Sequence, residues 1–353
     1  MAIFNLLKNP ETYQPCRQDM LVDTEFRTYW LQHFAQHFEI VAKLAVEHYG
    51  AHRTADVDSC KQELRRQLDI TGQDPNRFGE LNLLTLDMLR QTVLRAYNLP
   101  DPFKTLKTRE NAAMLRLYPQ IVAEADRIGD PAEALLLLVE GIFAGNIFDL
   151  GASSTSQLFS ANSPDFTQIR RDLANKRPWL VDHFAAFSEQ YLRRGTYRKA
   201  IFFLDNAGSD AVLGVFPFAR FLAARGATVV LAANDQPALN DLTYEELGPL
   251  LREAAALDPT LRNQLERGQI VPLNSGGTAP LIDLREVSDA CNAAAADADI
   301  VFLEGMGRGL ESNFDAAFTC DAVKLCMIKE PIVAQRLGGK VFDVVFRYDP
   351  AEG

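Results

Sequence analysis

Apolar and aromatic residues recur at helical spacing through the first part of the chain. Phe26, Trp30, Phe34 and Phe38, for example, are each four positions apart, which places them on one face of an amphipathic helix. The helices predicted in this part are 23–48, 56–68, 81–97, 109–128 and 131–144. Residues 1–197 are therefore predicted to form a mainly helical domain.

From residue 198 onward, short apolar runs alternate with helical segments. The predicted strands are 200–204, 228–232, 270–272, 300–303, 324–328 and 341–346. The predicted helices between them are 211–224, 243–257, 284–296 and 332–337. This alternation is typical of a parallel sheet with helices on both faces, whose strands are apolar throughout because neither face meets water. Residues 198–353 are therefore predicted to form an α/β domain.

Composition and charge exclude several classes of partner. The chain has 353 residues, is 47% hydrophobic and carries a formal net charge of -11. An acidic chain does not offer the basic surface that nucleic acids and anionic membranes require. No apolar run approaches the roughly 20 residues of a membrane span, and the first residues do not resemble a secretory signal.

The cysteines point to a reducing compartment. The five cysteines are scattered, odd in number and without a CxxC pair, which fits buried thiols better than a disulfide framework or a zinc site. A cytoplasmic location is therefore expected. The acidic charge described above predicts that neither a nucleic acid nor a membrane is a partner. The sequence does not predict the oligomeric state.

Acidic and amide side chains follow the predicted strands at the points where these end. Asp205 and Asn206 follow the first strand, Asn240 and Asp241 follow the second, and Glu304 follows a later one. Parallel strands end at one edge of a sheet, which is where open α/β folds bind ligands. Carboxylate and amide oxygens suit Mg²⁺ or Mn²⁺. The pattern predicts a metal-dependent enzyme that acts on a small, phosphorylated molecule.

The loop after the second strand offers two candidate aspartates. Asp235 is nearer to the strand end, whereas Asp241 precedes the helix that is predicted to open at Thr243. Asp and Asn are also common at turns and helix starts without any further function. The residues alone leave the choice between Asp235 and Asp241 open.

A glycine-rich stretch is predicted to bind the substrate. Its residues are Glu304, Gly305, Met306, Gly307 and Arg308. Glycines let a ligand approach the backbone, and an arginine can bind two phosphate oxygens at once. Lys329 and the loop at Ser275 are further candidates for phosphate contacts, with a surface lysine and an ordinary loop as the alternatives. The GxGxxG spacing of a dinucleotide site is absent.

A histidine pair in the first helix is interpreted as structural. His33 and His37 are four residues apart, as in a zinc-protease helix, but Phe34 stands where that motif requires Glu. Both histidines are therefore expected to be surface or packing residues.

Several strings resemble the metal-dependent damage-control phosphatases, a family long known as domain of unknown function 89. They are Asp205-Asn206-Ala207-Gly208, residues 232–241 and Glu304-Gly305-Met306-Gly307-Arg308. The last is similar to the EGMGR signature of subfamily II, which includes plant stand-alone proteins and the phosphatase domain of pantothenate kinase 4. Weaker likenesses make Asn146, Asp149 and Arg109 candidates for the pocket.

The resemblance implies a metal site made of Asp205, Asn206 and Asp241, which would also be the catalytic residues. It thereby favours Asp241 over Asp235. It implies a helical domain on a Rossmann-like α/β domain and a divalent ion such as Co²⁺, Ni²⁺, Mn²⁺ or Mg²⁺. The implied substrate class is 4'-phosphopantetheine or its oxidised or sulfonated forms, whose removal would limit damage to the coenzyme A pathway.

Two other functions remain open at this point. One is an S-adenosylmethionine-dependent carboxyl methyltransferase, which does not need the metal triad. The other is a regulatory module that binds a phosphorylated metabolite without hydrolysing it. Metal-dependent phosphate release distinguishes a phosphatase from both.

Overall fold

The computed structural model describes residues 1–147, 166–174, 176–194 and 197–351, in which seven strands form one sheet. The strands are β1 (Val181–Asp182), β2 (Lys199–Phe203), β3 (Thr228–Ala233), β4 (Ile270–Asn274), β5 (Ile300–Glu304), β6 (Asp321–Met327) and β7 (Val344–Asp349). Their spatial order is β1-β7-β6-β5-β2-β3-β4. All neighbours are parallel except β6 and β7. The predicted α/β class is confirmed.

The last strand corrects the prediction of a wholly parallel sheet. Strand β7 runs antiparallel to β6 and lies at 344–349 instead of the predicted 341–346. After β6 the chain passes through α12 and returns at the same end of the sheet, where the Ile328 amide donates to the Asp343 carbonyl and the Phe342 amide donates to the Ile328 carbonyl. A parallel return would need a crossover to the opposite end of the sheet.

The helices of the described residues are α1 (Thr24–Tyr49), α2 (Thr54–Gln73), α3 (Leu83–Ala96), α4 (Lys104–Asp126), α5 (Pro131–Ile147), α6 (Phe166–Ala174), α7 (Phe184–Arg194), α8 (Phe216–Ala224), α9 (Tyr244–Leu257), α10 (Pro259–Glu266), α11 (Asp289–Ala295) and α12 (Pro331–Arg336). The predicted helices form with shifted ends, whereas α6, α7 and α10 were not predicted. Side-chain caps fix several starts: Asp23 accepts from the Phe26 amide, and Ser288 accepts from the Cys291 amide. The Ser288 cap explains why α11 begins later than the predicted residue 284.

A π-helical turn replaces the first part of the helix predicted at 211–224. The turn spans Asp210–Val215 and continues directly into α8. Pro217 has no backbone N–H, so the hydrogen bond that a regular helix would make to Leu213 is missing. Such irregular turns are frequent at functional sites, and this one directly follows the Asp205 loop.

The strand register brings the predicted site residues to one edge. Phe203, the last residue of β2, pairs with Ala232 on β3 and with Leu303 on β5. The residues that follow in each strand therefore leave the sheet side by side, at its carboxyl edge.

Strand β2 is apolar from Ala200 to Phe203 because both of its faces are buried there. Phe202 packs among residues of helices α5, α8 and α9 on one face. On the other face, Phe203 packs with Phe4, Ile282 and Cys291. Each alternate residue thus belongs to a different layer of the core.

The first three helices pack around the carboxyl edge. Trp30 and Phe34 of α1 share a core with Leu281, Ile328 and Val345 from the second half of the chain. None of the helices in the described ranges combines the length and the apolar character that crossing a membrane requires. Strand β1 and helix α7 precede residue 198 and already belong to the sheet layer, and the division into domains at that residue stays a prediction.

Replacing Phe202 tests the burial of β2. We expect Phe202→Ala to lower the free energy of unfolding by about 3–5 kcal/mol, because it leaves a cavity between two packed layers. Urea unfolding followed by circular dichroism measures this change. Leu257→Ala is the control, since Leu257 is 47% exposed. Equal losses in both variants would contradict the packing described here.

Candidate active site

Two loops at the carboxyl edge are held together by backbone hydrogen bonds. The Ala207 amide donates to the Asn240 carbonyl and the Leu242 amide donates to the Asp205 carbonyl, each at 3.0 Å. Asn206 and Asp241 face each other in an isolated antiparallel bridge. Asn206 and Asp241, which are 35 positions apart in the sequence, therefore lie next to each other at the carboxyl edge.

A buried arginine joins the aspartates of the two loops. The guanidinium of Arg308 forms an ion pair with Asp205, and its Nη2 atom donates to Asp241 Oδ2 at 2.8 Å. Burial alone would lower the pKa of Arg308, but the Asp241 and Asp205 carboxylates raise it above its ordinary value. Arg308 therefore stays charged and fixes both carboxylates in place.

A second group of carboxylates lies behind Asp205. Ligand atoms of Asp205, Asp210 and Glu304 all lie within 4.8 Å of one another, and all three residues are buried. Burial raises the pKa of each of the three carboxyl groups. Repulsion among carboxylates raises the pKa values of Asp205 and Glu304 further. The group therefore favours the uptake of a cation or of protons.

Two asparagines supply hydrogen bonds to this group. Asn146 Nδ2 donates to Asp210 Oδ2 at 2.9 Å and to Glu304 Oε1 at 3.2 Å. Asn206 Nδ2 donates to Asp205 and to Asp210, both at 2.9 Å. Since its amide nitrogen is used in this way, the side-chain oxygen is the atom of Asn206 that can ligate a cation.

The donor set fits a divalent ion. The site offers hard carboxylate and amide oxygens, which are the ligands of Mg²⁺ and Mn²⁺. Asp210 Oδ1 is buried and accepts no hydrogen bond from an N–H group of the described residues, which adds a further carboxylate oxygen to the donor set. Two ligand sets share Asp205: the predicted set with Asn206 and Asp241, and a set with Asp210 and Glu304.

A cavity of about 110 Å³ opens beside the two loops. The predicted site residues that line it are Asp205, Asn206, Asp241, Met306, Gly307 and Lys329. Glu304 and Gly305 lie behind Asp205: the Asp205 amide donates to Glu304 Oε2 at 2.8 Å, and a side chain at Gly305 would overlap the Asp205 carboxylate. The proposed contact of Arg308 with phosphate stays a prediction, because in the structure its guanidinium binds the aspartates.

Other candidates lie away from this cavity. Ser275 is buried beside a neighbouring cavity, where its Oγ accepts from the Gly277 amide at 3.2 Å. Arg109 is exposed and pairs with Glu47. Asp235 is exposed and accepts a hydrogen bond from Asn274, so the structure brings Asp241 to the site and leaves Asp235 outside. Asp149 lies outside the described residues.

The far wall of the cavity comes from α1 and α3, which the sequence did not predict. His33 and His37, interpreted above as surface or packing residues, line the cavity with parallel rings 6.0 Å apart. Burial lowers the pKa of His33 to about 4, with a smaller effect of Arg90 in the same direction. His33 is therefore neutral at pH 7.

Helix α4 supports both loops from one face. Lys107 Nζ lies 3.0 Å from a Glu246 carboxylate oxygen and 3.4 Å from the Asp241 carbonyl. Four residues further along, Asn111 Oδ1 accepts from the Gly208 amide at 2.7 Å. Because residues four apart lie on one helix face, α4 fixes the Asp241 loop and the Asp205 loop at once.

Comparison with known families identifies the chain's relatives. The model of the damage-control phosphatase ARMT1-like domain matches residues 32–345. A damage-control phosphatase of Arabidopsis thaliana is 41% identical over 80% of this chain and 77% of its own length. A 4'-phosphopantetheine phosphatase of Mus musculus is 31% identical over 98% of this chain and 48% of its own.

A longer relative and a solved structure extend this comparison. A pantothenate kinase 2 of Arabidopsis thaliana is 37% identical over 99% of this chain, which spans 42% of that protein. A crystal structure of a DUF89 family protein from Pyrococcus horikoshii superimposes with a TM-score of 0.61 at 17% identity. The superposition covers 90% of this chain and 96% of the other, and shows that the fold is shared.

The hydrogen bond from Gly208 to Asn111 can be tested through ion affinity. We expect Asn111→Ala to weaken Mn²⁺ binding about tenfold, as losses of outer partners of metal ligands do. Asn111→Asp keeps an acceptor oxygen and is expected to retain most of the affinity. Isothermal titration measures both, with Arg109→Ala as the control on the same helix. Equal affinities of Asn111→Ala and the parent would contradict this role of α4.

Gly305 provides a second test, with a matched control. Gly305 has φ +93°, and a Cβ there would overlap the Asp205 carboxylate; Gly338 has φ +71° and open space around it. Alanine strains the backbone at both positions, by about 1 kcal/mol. We expect only Gly305→Ala to abolish Mn²⁺ binding, measured by titration. Intact binding in Gly305→Ala would show that Asp205 is not part of the ion site.

Proposed function

This chain belongs to the damage-control phosphatase ARMT1-like domain family, and from this premise we propose that it is a metal-dependent phosphatase of a small phosphorylated metabolite. The observation that carries the proposal is the convergence of Asp205, Asn206 and Asp241 beside one cavity at the carboxyl edge of the sheet. These are the three residues that the family resemblance implies as metal ligands.

The ion would be held by oxygens of Asp205, Asn206 and Asp241, with Mn²⁺, Co²⁺, Ni²⁺ or Mg²⁺ as candidates. When bound, it supplies charge neutralisation at the phosphate and acidifies a coordinated water. Arg308 holds the two aspartates in register, since it contacts both. The Asp205 amide is fixed by Glu304, which limits the movement of the ligand loop.

Phosphate oxygens would be bound at the ion-facing end of the cavity. Lys329, Met306 and Gly307 line this cavity. An ammonium group and backbone N–H groups stabilise the negative charge on a phosphate as its ester bond breaks. Hydrolysis then releases inorganic phosphate and the alcohol, with water providing one oxygen and the proton of the alcohol.

The substrate would be 4'-phosphopantetheine or one of its oxidised or sulfonated forms. This assignment is supported by the mouse relative, whose name gives that activity, and by the resemblance of residues 304–308 to the subfamily II signature. The chain would then act in metabolite damage control. A cytoplasmic location belongs to the same proposal and agrees with five free cysteines in the structure.

Phosphate release from 4'-phosphopantetheine tests the proposal. The protein is first treated with a chelator and then supplied with Co²⁺, Mn²⁺, Ni²⁺ or Mg²⁺, with a panel of sugar phosphates for comparison. We expect release that returns with metal and that favours 4'-phosphopantetheine. Release from sugar phosphates alone would contradict the substrate, and binding of metal without any release would favour a sensor instead of an enzyme.

Two aspartates in one loop provide the matched variants. Asp241→Ala is expected to lower kcat about a hundredfold or more, as the loss of a group that stabilises the transition state does. Asp235→Ala is expected to leave kcat unchanged, because Asp235 is exposed and bonds to Gln236 and Asn274. The opposite order of effects would assign the site to Asp235.

A further inference from the structure

Three buried polar side-chain atoms around the cavity have no hydrogen-bond partner within the described ranges. They are Trp30 Nε1 on α1, Arg90 Nε on α3 and Glu311 Oε1 in the π-helical turn Met306–Ser312. All three residues line the cavity that Asp205 and Asp241 also line. Buried donors and acceptors are nearly always paired in folded proteins. Donors and an acceptor left over around one cavity therefore indicate a ligand that offers both an acceptor and a donor.

The guanidinium of Arg90 is fixed by other contacts. It forms an ion pair with Asp87 and lies over the Phe34 ring, 4.9 Å from its centre. Its charge is already balanced by Asp87, and Arg90 is 4% exposed. These contacts leave its Nε–H donor without a partner among the described residues.

The charges around the cavity select a neutral ligand group. Since Arg90 and Asp87 balance each other, an anion here would meet the carboxyl groups of Glu311 and Glu330, and a cation would meet Lys329. Burial raises the pKa of Glu311, and its carboxyl group has an oxygen acceptor in either protonation state. A secondary amide is neutral and presents one strong acceptor and one strong donor.

We propose that Arg90 and Glu311 recognise an amide in the organic part of the phosphate ester. The amide oxygen accepts from Arg90 Nε–H, and the amide N–H donates to Glu311 Oε1. Trp30 and Phe34, which line the same wall, pack against the adjoining carbon chain. This inference rests on the proposed function and assigns two specificity residues to it.

The test compares an amide-bearing ester with one that lacks amides. The substrates are 4'-phosphopantetheine and n-hexyl phosphate, and kcat and KM are measured for each. Glu311→Met removes the acceptor, and we expect it to raise KM about tenfold for 4'-phosphopantetheine alone, as expected for a polar group left unpaired in the complex. Arg90→Lys removes the Nε–H donor, and we expect it too to raise the KM for 4'-phosphopantetheine alone.

Glu311→Gln is the matched control. It keeps an oxygen acceptor at Oε1 and is expected to retain the parent KM for 4'-phosphopantetheine. A merely structural role of Glu311 would change both esters equally in Glu311→Met. That result, or unchanged KM values in Glu311→Met and Arg90→Lys, would overturn the inference.

A binding measurement separates this inference from the proposed function. Pantetheine carries the amides but no phosphate, so its affinity is measured by titration without any turnover. We expect Glu311→Met and Arg90→Lys to weaken pantetheine binding about tenfold relative to the parent. This loss, in a protein that hydrolyses neither ester, would keep the amide site and reject the phosphatase. Equal affinities in parent and variants, or no binding to the parent, would overturn the amide site.

Discussion

The site depends on one buried ion cluster, in which Arg308 contacts both Asp205 and Asp241. Buried carboxylates are costly unless a positive charge compensates them, and Arg308 provides that compensation from a position that is itself 1% exposed. The two ligand loops are thus tied to the turn after β5. Removing the arginine would take away the cation that contacts both aspartates, so the loops, the turn and the cavity beside them form one unit.

The scaffold explains why this unit is rigid. The loops that follow β2, β3 and β5 lie side by side. Helix α4 contacts the loops after β2 and β3 from one of its faces. Gly305 admits Asp205 where any side chain would overlap it. A preorganised set of oxygens binds an ion without a further cost of ordering the loops.

Part of this arrangement could be predicted from the sequence. Asp205, Asn206 and Glu304 directly follow apolar strands, so local pattern and the rule for parallel sheets were sufficient. Choosing Asp241 over Asp235 needed a family resemblance, because both residues are plausible turn or cap residues. The antiparallel β7 was missed because a strand's direction depends on how the chain turns before it, and the apolar pattern of a strand is the same in both directions.

The residues that the sequence did not predict come from distant segments. Asn111 and Arg90 belong to helices whose pattern shows only that they are amphipathic, and nothing local marks the face that meets the sheet. Asp210 could have been proposed from the sequence, because it lies four residues after Asn206 at the start of a helix. His33 and His37 were interpreted as surface or packing residues because the zinc motif lacks its Glu here, and that comparison did not indicate that they line the cavity.

Anomalous X-ray diffraction from a crystal soaked in Mn²⁺ tests the central claim most directly. We expect one strong peak about 2.0–2.2 Å from oxygens of Asp205, Asn206 and Asp241. A peak that contacts Asp210 and Glu304 but not Asp241 would contradict it, as would the absence of any peak at the carboxyl edge of the sheet.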